Sequence, residues 1–356
     1  MLDERWQNVR RLLAVRLDNA GDVLMCEPAL RSIRKALPEC EVTLWASPGG
    51  ARVAGLLPEV DRALTTRALW QDLGNLPFDP ERERDVVQTL ADGGYDGAVV
   101  FTSFAQSPYP PSYACYLAGI PLRAGQPRDF GGGVLSDVAP PPSLDAHQVD
   151  RNLSLVMSLG FPPETIHLAA RIPDAARDSL GLKLRLKGIG LGRPLVLIHP
   201  GASCSARRYP PDRYAEVARL ARRALQWPVV ISGSEQEEAM GDDLLSAAGP
   251  GVTSMLGQTS IEELAALVER ATVVVTNNTL TMHLADALRT PEVVLFSGTE
   301  REVQWQPRAT RARLLRRPTW CQPCYRFTCP YGLPCLDLAP REVVAAILEL
   351  VADTAR

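Results

Sequence analysis

An α/β fold of two parallel-sheet domains is what this sequence predicts, on three observations. Short apolar runs alternate with helical patterns along most of the chain, the signature of β-α-β units with parallel strands. The alternation begins twice, near residue 12 and again near residue 195. The chain has 356 residues, more than the roughly 250 at which one hydrophobic core stops growing. Two facing α/β domains with a cleft between them is the natural assembly, because ligands of such sheets bind at the carboxyl ends of the strands.

Residues 12–17 read as a buried strand, residues 26–37 as a helix with Ala29, Leu30, Ile33 and Leu37 on one face, and residues 42–46 as the next strand. A strand over 97–101 and a helix over 112–118 follow. Residues 130–143 are rich in Gly and Pro and read as a surface loop. A helix over 147–159 carries Val149, Leu153, Val156 and Leu159 on one face. The stretch 170–193 is weakly patterned and basic, which suits a linker or domain edge. The second alternation then runs through strands at 195–198, 228–231, 272–275 and 292–296, with helices at 212–225, 235–248, 260–270 and 280–288. A last helix covers 340–352.

Composition excludes several classes. Hydrophobic residues at 46% and charged residues at 22% are ordinary for a globular protein and too apolar for a disordered one. The net charge is −3 and the 38 Lys and Arg are scattered, so no nucleic-acid partner is expected. The tightest basic group, Arg311, Arg313, Arg316 and Arg317, reads as solvated surface. No apolar run reaches the roughly 18–20 residues that span a bilayer. The first residues lack the charged-then-apolar order of a signal peptide. A cytoplasmic protein with at most peripheral membrane contact is expected.

Chemistry concentrates where a strand gives way to a helix. The first such loop is Arg16-Leu17-Asp18-Asn19-Ala20-Gly21-Asp22-Val23. Gly21 permits a tight turn, and Asp22 then serves either as a helix-cap carboxylate or as a general base facing the cleft. Asp18 stands nearer the strand and is the lesser base candidate. The second loop runs from His199-Pro200-Gly201 through Ser203 to Arg207-Arg208. Gly201 and Ser203 let backbone N–H groups approach an anion, and Arg207 or Arg208 offers a planar fork for phosphate oxygens. The third is Asn277-Asn278-Thr279-Leu280-Thr281-Met282-His283. There Asn278, Thr279 and the free N–H groups of the helix start make an anion pocket, with Thr279 as a plain cap and His283 as a packed histidine the other reading. Together the loops describe a diphosphate cradle with one carboxylate. The sequence has no Asp-x-Asp pair, so a metal clamp on the diphosphate is not indicated, and no G-x-x-x-x-G-K-[ST] motif of a P-loop enzyme.

These windows resemble the ADP-heptose:lipopolysaccharide heptosyltransferase family of inverting glycosyltransferases. Residues 16–30, ending in Glu27-Pro28-Ala29-Leu30, resemble its opening Gly-Asp-Val…Pro-Ala-Leu signature. Residues 117–125 resemble its mid-domain segment, and His147 to Leu153 its His-x-Val-x-x-x-Leu helix. The resemblance implies a GT-B fold, two Rossmann-like domains facing each other across a cleft. The acceptor side would be 1–175 and the nucleotide-sugar side 176–339, with a C-terminal helix, 340–356, packing back on the first domain. It implies that Asp22 is the catalytic base, with Asp18, Asn19 and Gly21 on the acceptor side. Gly201, Ser203, Arg207, Glu237, Asn278, Thr279 and His283 would bind the donor, an ADP-sugar, with a saccharide or glycoconjugate as acceptor. No cofactor is required for the transfer. Two departures bear on the sugar: Asn278 stands where the family commonly has Asp, and Leu280 where it has Gly. Another nucleotide-sugar, a protein or secondary-metabolite acceptor, or a non-catalytic sugar-nucleotide binder are the alternatives.

Cys26, Cys40, Cys115 and Cys204 read as small buried hydrophobes. Cys321, Cys324, Cys329 and Cys335 put four thiols into fifteen residues. In a cytosolic protein that spacing reads as a structural iron or zinc site rather than disulfides. Similar cysteine-rich tails occur in the resembled family, in iron-containing heptosyltransferases that modify bacterial autotransporters.

Overall fold

The structure is a computed structural model and describes residues 2–72, 74–235, 237 and 241–354. The chain divides into two compact units, residues 1–168 and 169–356. In the first, a sheet of β1 (Arg11–Arg16), β2 (Glu41–Ala46), β3 (Arg62–Thr65), β4 (Gly97–Val100), β5 (Leu122–Gly125) and β6 (Asp137–Val138) has the order β3-β2-β1-β4-β5-β6. Its helices are α1 (Glu4–Gln7), α2 (Ala20–Leu24), α3 (Glu27–Ala36), α4 (Pro48–Ala51), α5 (Pro80–Asp92), α6 (Tyr109–Leu117) and α7 (Gln148–Ser158). Every strand pair is parallel.

The second unit repeats this topology. Its strands are β7 (Val196–His199), β8 (Val229–Gly233), β9 (Val252–Leu256), β10 (Val273–Asn277), β11 (Glu292–Leu295) and β12 (Ala312–Leu315), in the order β12-β11-β10-β7-β8-β9. Its helices are α8 (Asp174–Leu186), α9 (Pro211–Leu225), α10 (Gly241–Ala248), α11 (Ile261–Arg270), α12 (Leu280–Leu288) and α13 (Pro340–Thr354). In each sheet the strand order reverses beside the first strand, between β1 and β4 and between β7 and β10. A doubly wound sheet leaves a crevice outside the carboxyl ends of the strands at that point.

Helices on both faces of each sheet explain the unbroken apolar runs of the central strands. Leu12 to Val15 and Val273 to Val275 are at most 1% exposed. In the second unit Val196, Ile198, Val273, Val275, Val293 and Leu295 face one core with Tyr214, Val217 and Ala218 of α9. α11 starts at Ser260, whose side chain accepts from Glu263 N while the Glu263 carboxylate returns to Ser260 N, a complete capping box.

Two expectations are refined. The two units divide at 168/169, where 175/176 was expected, and the stretch 170–193, expected as a linker or domain edge, stands at the edge of the second unit and contains α8. Ala176, Leu180 and Leu184 fall on one helical face and are buried. The basic residues on its other faces hide this stripe in a composition reading. In the C-terminal helix, Val343, Ile347 and Leu350 of α13 fill the same core as α9. Part of the expected helix 235–248 lies outside the described residues, and its described part is α10. No helix among the described residues is long and apolar enough to cross a membrane.

Candidate active site

In the first unit β1 ends in Arg16, which is 0% exposed. A buried guanidinium demands counter-charges, and two carboxylates supply them. Arg16 Nε lies 3.0 Å from Asp18 Oδ2, and Arg16 Nη2 lies 3.0 Å from Asp22 Oδ1. The same Nη2 donates to Ser103 Oγ at 2.7 Å. Gln106 donates to Asp18 Oδ1 and accepts from Ser103 N at 2.8 Å. Ser103 and Gln106 follow β4, so these bonds cross the point where the strand order reverses.

The cap of α2 is Asn19, which makes no side-chain cap bond, and Asp22 stands inside the first turn. Asp22 is therefore not the cap, and its Oδ1 is turned to Arg16. Its Oδ2 has no hydrogen-bond partner among the described residues. Burial pushes the Asp18 carboxyl up, against the charge of Arg16 and with that of Asp22. Gly21 makes no left-handed turn; it is helical, and its carbonyl accepts Met25 N at 3.1 Å. The glycine this region requires is Gly50, where a Cβ would stand 2.7 Å from the Asp18 carbonyl oxygen. His147 is buried at the start of α7, and its Nδ1 accepts from Val149 N at 3.3 Å.

In the second unit three loops end strands β7, β10 and β11. Gly201 follows β7, and a Cβ there would come within 2.9 Å of the Glu237 carboxyl carbon. Only glycine lets that carboxylate lie against the loop. Glu237 is buried and accepts from Ser234 N at 2.7 Å. His199 Nδ1 lies 3.0 Å from Ser232 Oγ, and burial pushes the imidazole down to about 4, opposed by the charge of Glu237. Ser203 is exposed and makes no hydrogen bond among the described residues.

Arg207 and Arg208 separate in role. Arg208 is spent on the loop, donating Nε and Nη2 to the Ala202 carbonyl at 3.0 and 2.8 Å. Arg207 points to other loops: Nε donates to Thr299 Oγ1 at 3.2 Å, and Nη2 lies 2.5 Å from Glu300 Oε1. Asn278 Nδ2 donates to Glu300 Oε2 at 3.4 Å, while its Oδ1 accepts from Ser297 N at 3.2 Å. Thr279 occupies the cap of α12 without a side-chain cap bond, so its hydroxyl does not satisfy the first N–H groups of that helix. His283 is buried, and burial pushes it down to about 4, Asp286 opposing and Arg207 assisting. It stays neutral near pH 7.

Sequence reasoning missed Asn277, Thr299 and Glu300. Asn277 is fully buried, donates to the Pro200 carbonyl at 2.8 Å and accepts from Tyr209 N at 3.2 Å, tying the β7 loop to β10. The adjacent pair Asn277-Asn278 was the visible signal. Glu300 carried none, because its partners lie 93 and 22 residues away.

The cysteine-rich segment braces these loops. Cys324 N and Tyr325 N donate to the carbonyls of Gly298 and Thr299 at 3.1 and 2.9 Å. Ala206 N donates to the Phe327 carbonyl at 3.0 Å. All eight cysteines are free thiols. Among the described residues no group of three or more His, Cys, Asp or Glu side chains is placed to hold a metal ion. Cys321, Cys324, Cys329 and Cys335 therefore form no ready ligand set. Cys335 turns into the apolar core beside Leu336, while the other three stay half-buried. Burial pushes the Cys335 thiol up, and the neighbouring Cys329 and Cys324 add to the shift.

Residues 85–333 match the sequence profile described as glycosyltransferase family 9 (heptosyltransferase). The chain belongs to that family. It is a glycosyltransferase. It is 23% identical to lipopolysaccharide heptosyltransferase 2 of Escherichia coli (strain K12), over 96% of this chain and 98% of the relative. The family 9 glycosyl transferase structure from Veillonella parvula superposes with a TM-score of 0.80 at 19% identity, covering 97% of this chain and 98% of that one. The E. coli ADP-heptose lps heptosyltransferase II structure gives 0.75 at 21% identity, covering 97% and 100%. These likenesses establish the fold, the GT-B type, with two parallel six-stranded sheets.

Proposed function

We propose that this glycosyltransferase moves a heptose from ADP-heptose to a saccharide hydroxyl, the donor and sugar that the relatives' names give for them, and that it does so with inversion. The observation that carries the reading is Asp22: one oxygen held by buried Arg16, the other without a hydrogen-bond partner among the described residues, in the loop-to-helix turn after β1. The acceptor oxygen forms a bond to the anomeric carbon as the bond from that carbon to the diphosphate breaks. The hydroxyl proton passes to Asp22, and ADP leaves with the bonding pair. Arg207, Thr279 and the free N–H groups of α12 hold the leaving diphosphate, a charge-assisted fork beside a helix N-terminus. His283, kept neutral by burial, adds no competing charge at neutral pH. Asp18, Asn19 and Gly21 belong to the acceptor side, and Gly201, Ser203, Glu237 and Asn278 to the donor side. The enzyme would work in the cytoplasm, with at most peripheral contact to the membrane.

Asn278 favours one variation, a donor sugar other than heptose. It presents an amide, already paired to Glu300, where the resembled family has a carboxylate. Nucleotide release from ADP-heptose, ADP-glucose and UDP-glucose decides the matter. ADP-heptose is expected to turn over fastest. Faster turnover of either hexose donor transfers the reading to that sugar, and no release from any of the three removes it.

We also propose that the four-cysteine segment takes iron or zinc as a structural staple. The donor set has the right chemistry for tetrahedral thiolate ligation. Binding requires Cys335 to turn out of the core and the half-buried thiols to draw in. Elemental analysis of protein purified from metal-supplemented cells is expected to give about one equivalent of iron plus zinc. Content below about a tenth of an equivalent ends this proposal.

A further inference from the structure

The guanidinium assigned above to the leaving diphosphate already has an anion on it. Glu300 Oε1 lies 2.5 Å from Arg207 Nη2, and Glu300 Oε2 accepts from Asn278 Nδ2 at 3.4 Å. One carboxylate thus bridges a residue of the β7 loop and a residue of the β10 loop, both of them donor-side residues in the reading above. The loop carrying it is fixed: Thr299 Oγ1 accepts from Arg207 Nε at 3.2 Å and lies 2.9 Å from Ser297 Oγ. Its backbone carbonyls at Gly298 and Thr299 are bonded to Cys324 N and Tyr325 N. Both members of the ion pair are mostly buried, at 21% and 17% side-chain exposure, so solvent screens them only in part.

We propose that Glu300 is the resident counter-ion of the donor site, holding Arg207 in its binding geometry and yielding the guanidinium to the diphosphate. The proposal rests on the donor-site reading above. A carboxylate and a phosphate oxygen compete for the same planar fork, and like charges at that separation repel. Glu300 therefore lowers the affinity of the site for the diphosphate. It also favours departure of ADP, because the Arg207–Glu300 pair re-forms as the product leaves. Arg207 is thus never a bare buried cation between turnovers.

Calorimetric titration with ADP tests this on wild type, Glu300→Gln, Glu300→Asp and Glu302→Gln. Glu302 pairs with Arg316 at 2.7 Å in the same loop and controls for a general change of charge. Glu300→Gln keeps the shape and the bond to Arg207 but loses the charge. It is expected to bind ADP roughly fivefold tighter or better. Glu302→Gln and Glu300→Asp are expected to stay within about twofold of wild type. Weaker or unchanged ADP binding by Glu300→Gln, in protein that melts like wild type, overturns the counter-ion role alone. Should Glu300→Gln fail to fold, ADP binding by Glu300→Asp decides: affinity near wild type supports the proposal, and a loss greater than tenfold overturns it. No ADP binding by any of the four proteins overturns the donor-site reading and this inference with it.

Discussion

Asp22→Asn is expected to slow glycosyl transfer by about a thousandfold, within the range over which positioned general bases act. Asn keeps the shape of the side chain and leaves an oxygen for Arg16, but its amide cannot take a proton. The charged groups around Asp22 are Arg16 and Asp18, with Arg151 of α7 beyond Arg16 and the Cys26 thiol kept neutral by burial. Arg16 keeps Asp18 as a counter-charge at 3.0 Å in the variant, so the buried guanidinium is not orphaned and folding is expected to survive. ADP affinity should not change, because the residues assigned to the diphosphate belong to the second unit. The discriminating measurement is ADP release at saturating donor and acceptor, with ADP binding as the control. Asp18→Asn is the companion. Asp18 has one oxygen hydrogen-bonded by Gln106 and the other against the Arg16 guanidinium at 3.0 Å, which leaves it less open to an incoming proton than Asp22. Its loss should cost about tenfold or less, through looser placement of Arg16 and Asp22. If Asp22→Asn keeps more than about a tenth of wild-type turnover, or Asp18→Asn is the more damaging change, the base is misassigned.

What could be read in advance followed from local rules. A parallel strand buried on both faces leaves an apolar run, and a crossover helix leaves a 3.6-residue stripe, so β1, β7, β10 and β11 and their helices were visible. So were the loops bearing Asp22, Arg207 and Thr279, because each directly follows such a run. The short edge strands β3, β6 and β12 were not, since an edge strand of two to four residues leaves no periodicity. α8 was missed because its buried stripe of Ala176, Leu180 and Leu184 is thin and its other faces are basic. The gap at the site has one physical cause. Ser103 and Gln106 meet Arg16 and Asp18 across 87 and 88 residues of chain, and Glu300 meets Arg207 across 93. A doubly wound sheet makes such pairs by bringing successive strand ends side by side, and no short window holds both partners. The cysteines show the converse: close spacing made them conspicuous, yet the fold sends Cys335 into the core.

Removing the carboxyl of Glu292 is expected to stabilise the second unit at neutral and higher pH. Glu292 opens β11, is 0% exposed, and neither carboxyl oxygen has a hydrogen-bond partner among the described residues. Its neighbours Val293 and Leu295 face the α9 and α13 core, and the strand period of two turns Glu292 to the other face, toward α12. There Asp286 is held by three backbone donors, from Arg308, Ala309 and Thr310, at 3.0, 2.7 and 3.0 Å. Those bonds fix the Asp286 side chain beside β11. Burial pushes the Glu292 carboxyl well above its ordinary 4.5, and the charge of Asp286 pushes it the same way. The folded chain therefore keeps a proton that the unfolded chain releases. Below about pH 4.5 both states hold it and there is no penalty. As pH rises past that value only the unfolded state gains by ionising, and stability falls until the folded-state carboxyl itself titrates. Glu292→Gln cannot ionise and should lose this slope, while still burying an unpartnered amide. Glu292→Met removes the polar group at similar volume and should also recover about 1–3 kcal/mol of desolvation. In a unit of this size that is roughly 3–8 °C in the unfolding midpoint at pH 8. The Gln variant should gain at pH 8 and match wild type at pH 4. A thermal series for the three proteins from pH 4 to pH 8 is sufficient. A gain for Gln that is equally large at pH 4, or a loss at pH 8, would show that the Glu292 carboxyl ionises and finds a partner in the folded protein.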